Sequence, residues 1–131
     1  MISKKLKQFI EGSSFAFVAS ADQRARPHLA AAEHLKVSDP RHIVFDSWVC
    51  PKTLENVVEV PRLALAVVDP ISARGYQLEC FVESAVEASA SSGRNATATH
   101  QQIHARLVVR IEGILEFAPG PHSDQPLGIE A

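Results

Sequence analysis

The sequence predicts a mainly β domain with flanking helices, built as a six-stranded antiparallel barrel, and three observations lead there. Six segments carry the apolar runs or two-residue alternation of strands, against two short stretches with a clear helical period. Several connections between those segments are too short for the helical crossover that parallel pairing needs. The 131 residues, 46% hydrophobic and 21% charged, describe one ordinary domain that buries enough surface to need neither disulfide nor metal. Closing the sheet on itself then removes its exposed edges.

The elements follow in chain order. Ile2, Leu6, Phe9 and Ile10 share one helical stripe with lysines opposite, so an amphipathic helix precedes Gly12. Phe15 to Ser20 is a compact apolar run that reads as the first strand, and Asp22 to Arg26 supplies the turn after it. Pro27 to Val37, rich in alanine, reads as one second strand, ended by Ser38-Asp39-Pro40-Arg41. Ile43 to Trp48, β-branched and aromatic, is the third. Pro51 suits the first position of a helix, Leu54, Val57 and Val58 keep its period, and Pro61 stops it. Leu63 to Val68 is apolar on both faces and reads as a central strand. In Tyr76 to Glu87, Tyr76, Leu78, Cys80, Val82 and Val86 oppose Gln77, Glu79, Glu83 and Glu87. A weak helical pattern surrounds Gln101 to Arg106, and the last strand, Leu107 to Phe117, sets Leu107, Val109, Ile111 and Leu115 against Arg110, Glu112 and Glu116. Residues 1–118 thus form one barrel domain with its N-terminal helix, and 119–131, carrying Pro119, Gly120, Pro121, Pro126 and Gly128, form an irregular tail.

Composition excludes several classes of partner. Thirteen basic and fifteen acidic residues, a net charge of −2 without a long run of either sign, argue against nucleic acid. The longest apolar run, Leu63 to Val68, is far short of the roughly 20 residues that span a bilayer, so no membrane is expected. Gln8, Glu11 and Gly12 interrupt what would be the core of a signal peptide, and the chain reads as cytoplasmic. In that setting Cys50 and Cys80 are reduced thiols, and the sequon Asn95-Ala96-Thr97 carries no meaning.

The most informative local stretch is Trp48-Val49-Cys50-Pro51-Lys52-Thr53, a strand end feeding a helix start. Unpaired N–H groups and the positive end of the helix dipole favour an anion there, and Lys52 and Thr53 add a charge and a hydroxyl within the first turn. That combination describes a phosphate site, although such a tripeptide is common at helix starts. Ala30, Ala31 and Ala32 leave a shallow surface that a flat ligand or another backbone could approach, and close packing in a tight barrel accounts for them equally well. Trp48 stands beside the anion site, where its ring serves either a planar heterocycle or the core. His100 and His104 lie four apart but lack the glutamate of a zinc peptidase, and His28, His34 and His42 have no cysteine or carboxylate at a usual ligand spacing, so no metal site is expected. A Gly-x-Ser-x-Gly turn and a glycine-rich nucleotide loop are both absent from the sequence.

Taken in order, Phe17-Val18-Ala19-Ser20-Ala21-Asp22, Arg26-Pro27-His28, Leu35-Lys36-Val37, Ile43-Val44-Phe45, Pro51-Lys52-Thr53 with Asn56-Val57, Pro61-Arg62-Leu63-Ala64-Leu65 and Tyr76-Gln77-Leu78 resemble the pyridoxamine 5′-phosphate oxidase-like family of FMN-binding split barrels. The resemblance runs from about Leu6 to Phe117 and is strongest to the small single-domain FMN-binding proteins. It implies a split β-barrel that forms a homodimer with FMN at the subunit interface, which agrees with the small concave surface of a barrel filled by its own side chains. By the same resemblance Lys52 and Thr53 contact the phosphate, Ser47, Trp48 and Val49 line the flavin, Ala32 and Glu33 lie near the ribityl chain, and Gln77 reaches the flavin from the other subunit. The implied function is that of a flavoprotein, an FMN-dependent oxidoreductase or an electron carrier, with a nicotinamide donor or a small-molecule substrate as its redox partner. The alternative is a flavin-free split-barrel dimer acting as a small-ligand-binding or interaction module. Two departures stand out. The tail, Pro119-Gly120-Pro121-His122-Ser123-Asp124, lacks the Trp-Arg and Arg-Leu-x-Pro substrate signature of the true oxidases, so vitamin B6 oxidation is not implied. Glu83 stands where many relatives carry glycine, and so would crowd either the barrel wall or the cofactor.

Overall fold

The computed structural model describes residues 1–48, 50–89, 103–120 and 123–127. Helix α1 (Lys4–Gly12) begins at Ser3, whose hydroxyl accepts from the Leu6 N–H at 3.0 Å, and it buries Leu6 and Ile10. Strands β1 (Ala16–Ala21), β2 (Pro27–Ala32), β3 (Leu35–Asp39) and β4 (His42–Trp48) precede helix α2 (Pro51–Glu59). Strands β5 (Arg62–Asp69), β6 (Arg74–Ser89) and β7 (Ile103–Phe117) complete the order.

Among the described residues the seven strands form one antiparallel sheet in the order β2-β1-β5-β6-β7-β4-β3. Its two terminal strands, β2 and β3, are consecutive in the chain and joined only by Glu33 and His34. The sheet must therefore curl until its edges meet, which makes a barrel split along that seam. Helix α1 packs on β3 and its Glu11 carboxylate accepts from the Val37 N–H at 2.8 Å, covering part of an edge that no strand pairs. The core inside the curl includes Val18, Ile43, Phe45, Leu65, Leu78, Leu107 and Ile111, all at most 2% exposed.

The antiparallel split barrel was legible, but its strand count was not: there are seven strands among the described residues, not six. Pro27 to Val37 does not run through as one strand because His34 adopts φ 59°, a left-handed conformation that ends the extended chain. The helical reading of Gln101 to Arg106 gives way to β7 from Ile103 onward, paired to β6 as far as Ser89↔Ile103; Gln101 and Gln102 lie outside the described residues. Two bulges shift the alternation of the long β6–β7 ribbon. Past the irregularity between Val82 and Ser84, Val86 is 61% exposed rather than core-facing. Past that opposite Glu79 and Cys80, Ile114 takes the buried place assigned to Leu115.

The first turn formed as its residues suggest: Asp22 Oδ1 accepts from the N–H groups of Arg24 and Arg26, each at 2.9 Å, and Ala25 takes φ 61°. Within the stretch expected to be an irregular tail, Asp124 to Leu127 return along β7. The Asp124 N–H donates to Glu116 O at 2.7 Å, the Leu127 N–H donates to Ile114 O at 3.1 Å, and Leu127 packs on the core.

At the β5–β6 hairpin Gly75 pairs with Val68, and a Cβ added there would meet the Val67 carbonyl oxygen at 1.8 Å. Gly75→Ala is expected to lower stability by about 1–3 kcal/mol or more, as overpacking against backbone does. Urea unfolding checks this, and an unchanged midpoint would show that the hairpin shifts freely.

Candidate functional site

Where β4 leaves the sheet, Trp48 closes the connection to α2. Its indole N–H donates to Cys50 O at 2.8 Å and its ring meets Phe45 edge-on, with centroids 5.4 Å apart. At 3% exposure the ring belongs to the core, the second of the two roles its position allowed. Cys50 is the N-cap of α2 and makes no capping bond from its side chain, and Pro51 occupies the first turn. Early N–H groups of α2 are thus left without a side-chain acceptor. Lys52 is exposed and, among the described residues, in no ion pair. Thr53 is fully buried, and its hydroxyl is the one buried side-chain polar atom among the described residues without a hydrogen-bond partner. One turn on, buried Asn56 donates to the Ser20 hydroxyl at 3.1 Å and so pins α2 to β1.

The other expected residues fall into two groups. Ser47 is exposed near the end of β4, Ala32 is buried at the end of β2, and Glu33 is exposed in the seam. The β3–β4 ladder closes at Leu35↔Phe45, so Glu33 and Ser47 sit at the same end of it. Val49 lies outside the described residues. Gln77 stands elsewhere, between Ala66 and Leu115 on the outward face of β6. It lines an open cleft of about 530 Å³ with Ser20, Pro27, Arg62 and Ala64, and an apolar trough of about 270 Å³ with Phe17, Leu29 and Ala66. Ser47, Trp48, Lys52 and Thr53 line neither of these two hollows.

The fold also makes contacts that spacing along the chain did not announce. His28 Nε2 lies 3.4 Å from Cys50 Sγ, across 22 positions of sequence, so a cysteine does stand beside that histidine. His42 sits between two carboxylates: Nδ1 is 2.9 Å from Asp39 and Nε2 is 2.9 Å from Glu83. Glu83 also accepts from Arg110 at 3.0 Å, so its side chain lies on the outer surface of the ribbon, and the barrel wall is not crowded by it. The bond to Asp39, more than any other contact, raises the His42 pKa above its ordinary value, and the bond to His42 lowers that of Asp39. Cys80 is buried, and desolvation pushes its thiol far up, with Glu112 and Glu79 adding to the effect. Among the described residues, no cluster suited to a metal is formed and no helix is long and apolar enough to cross a membrane.

Residues 2–125, nearly the whole chain, match the family described as pyridoxamine 5′-phosphate oxidase. The chain belongs to that family. No curated protein matches the sequence. Among solved structures, the HupZ protein of Group A Streptococcus superposes with a TM-score of 0.73 at 18% identity, over 98% of this chain and 100% of that one. An FMN-binding protein from Syntrophomonas wolfei gives 0.65 at 14% identity, over 92% and 88% of the two chains. HutZ, a heme storage protein from Vibrio cholerae, gives 0.60 at 13%, over 89% and 96%. At these identities the likeness is one of fold, and it places the chain among split barrels.

Asn56→Ala would leave the Ser20 hydroxyl buried without its partner, and is expected to cost about 1–3 kcal/mol in urea unfolding. A loss within measurement error would show that α2 is held by packing alone. His42, with its raised pKa, stabilises the fold fully below its ordinary value of 6.5, and that contribution fades as pH rises through the folded value; Asp39, lowered from 3.8, loses its contribution as pH falls through its folded value. The pair therefore contributes most between those two ordinary values. His42→Gln should flatten the decline in stability above pH 6.5, and an unaltered profile would show that the carboxylates do not hold the imidazolium.

Proposed function

We propose that this chain is an FMN-binding flavoprotein that works as a homodimer, with the FMN phosphate seated at the N-terminal turn of α2. The observation that carries the reading is the Thr53 hydroxyl, buried without a partner in the same turn as exposed Lys52 and the uncapped N–H groups. An anion docked there gives each of these donors the acceptor it lacks, and Lys52 adds a charge-assisted bond. The residues therefore suit a phosphate. The exposure of Ser47 and Glu33 at the adjoining end of the β3–β4 ladder supports assigning them to the polar chain beyond it.

A second copy supplies what one protomer lacks. Phe17 and Leu29, 40% and 64% exposed, stand on the outward face of β1 and β2 beside Ala64 and Ala66 of β5. An apolar surface of that kind favours burial against a partner, and the position of Gln77 within it supports assigning that residue to a flavin held by the other subunit. When bound, FMN supplies hydride or single-electron transfer through its ring system. The protein positions the ring and shields it, and a nicotinamide donor or small molecule serves as the redox partner. The alternative is a flavin-free dimer that binds another small ligand. The likeness to HutZ supports it, as does the depth of Thr53, which an incoming phosphate must uncover.

Visible spectra of the purified protein with and without added FMN separate the readings. A shifted flavin spectrum and quenched flavin fluorescence are expected, and their absence would favour the flavin-free module. Lys52→Ala should weaken FMN about tenfold to a hundredfold, from the loss of a charged contact worth about 1.5–3 kcal/mol, and leave riboflavin nearly unchanged. Equal losses for both ligands would show that Lys52 does not recognise phosphate.

A further inference from the structure

Outside the proposed phosphate contacts, one pair of reactive side chains is brought together by the fold alone. Cys50 Sγ lies 3.4 Å from His28 Nε2, and both residues are half-buried, so the pair is held in place without being sealed in the core. Among the described residues neither side chain has another bond: Cys50 makes no side-chain cap on α2, and His28 has no carboxylate partner. The other cysteine differs on every count. Cys80 is 2% exposed, its thiol donates to Leu78 O at 3.6 Å, and burial opposes its ionisation. A thiol within hydrogen-bond reach of an imidazole, in a partly exposed place, is the arrangement that activated cysteine nucleophiles use.

We propose that Cys50 and His28 form a thiol-exchange site, at which a low-molecular-weight disulfide transfers one of its halves to Cys50. With the imidazole proton on Nδ1, Nε2 accepts the thiol proton, and the Cys50 sulfur attacks one sulfur of the incoming disulfide. A new S–S bond forms between Cys50 and that half as the original S–S bond breaks. The departing sulfur leaves as a thiolate and takes the proton that His28 holds. Cys50 is oxidised and the departing sulfur reduced, with no further oxidant. The same exchange run backwards by a small thiol restores Cys50, so the modification is reversible. Although Cys50 is the N-cap of the same helix start, the exchange does not rest on the flavin reading, because it needs only these two side chains.

The test uses the full chain, reduced and then incubated with oxidised glutathione at neutral pH, with adducts read by intact mass and peptide mapping. One glutathione half is expected on Cys50 and none on Cys80, and Cys50→Ser should take up none. His28→Gln, which cannot accept the proton, should slow the reaction at least about tenfold and remove the part of the pH–rate profile that lies below about pH 8, where an unassisted thiol reacts little. Independently of any variant, Cys50 in the native protein should react at least about tenfold faster than after unfolding in urea, where His28 no longer stands beside it. Modification of Cys80 at the same rate, equal rates for native and unfolded Cys50, or a His28→Gln variant with the original rate and profile would each overturn the proposal.

Discussion

The fold depends on one backbone constraint, the left-handed turn at His34 that sends two consecutive strands to opposite edges of a single sheet. A chain that places neighbours in sequence at the two ends of a seven-strand order leaves the sheet no way to lie flat. Twist and closure then follow, the apolar faces turn inward, and the remaining seam is covered in part by α1 through Glu11 and Val37. The long β6–β7 ribbon forms the opposite wall, and its bulges decide which of its residues face the core.

That closure also sets what the surface can offer. A barrel this small fills its interior with Phe45, Leu65, Leu107 and their neighbours, so ligand chemistry is pushed to the rim and the outer face. At the rim, α2 is fixed by Asn56 against Ser20 and by the Trp48 ring beneath the turn, which keeps the first residues of the helix in one geometry. On the outer face, Phe17 and Leu29 border small residues, leaving a smooth apolar surface rather than a deep pocket. The two regions belong to different parts of the chain.

Much of the fold could be read directly from residue order. Short connections excluded parallel pairing, Pro51 and Pro61 bracketed α2, and Asp22 to Arg26 formed their turn, because each of these outcomes rests on local geometry. The second strand was misread for an equally local reason: an alternating, alanine-rich run carries no mark of a positive φ at a histidine. The parity of Val86 and Leu115 could not be read, since a bulge depends on the partner strand and not on the strand's own pattern. The lysine and hydroxyl in the first turn of α2, Lys52 and Thr53, were visible in the sequence, whereas the complete burial of Thr53 was not, and the burial of Trp48 among core residues was one of two roles its sequence position allowed.

By itself, the sequence determined the architecture, the start of α2 with its lysine and hydroxyl, and the absence of a long apolar span, because these depend on period, turn chemistry and charge along a short stretch of chain. Tertiary structure alone decided that Cys50 meets His28, that His42 lies between Asp39 and Glu83, and that Glu83 points away from the barrel wall. Those contacts join residues on different strands or across turns. Their distances are set by how the sheet curls and where its ribbon bulges, and neither quantity is encoded in the spacing of the residues that it brings together.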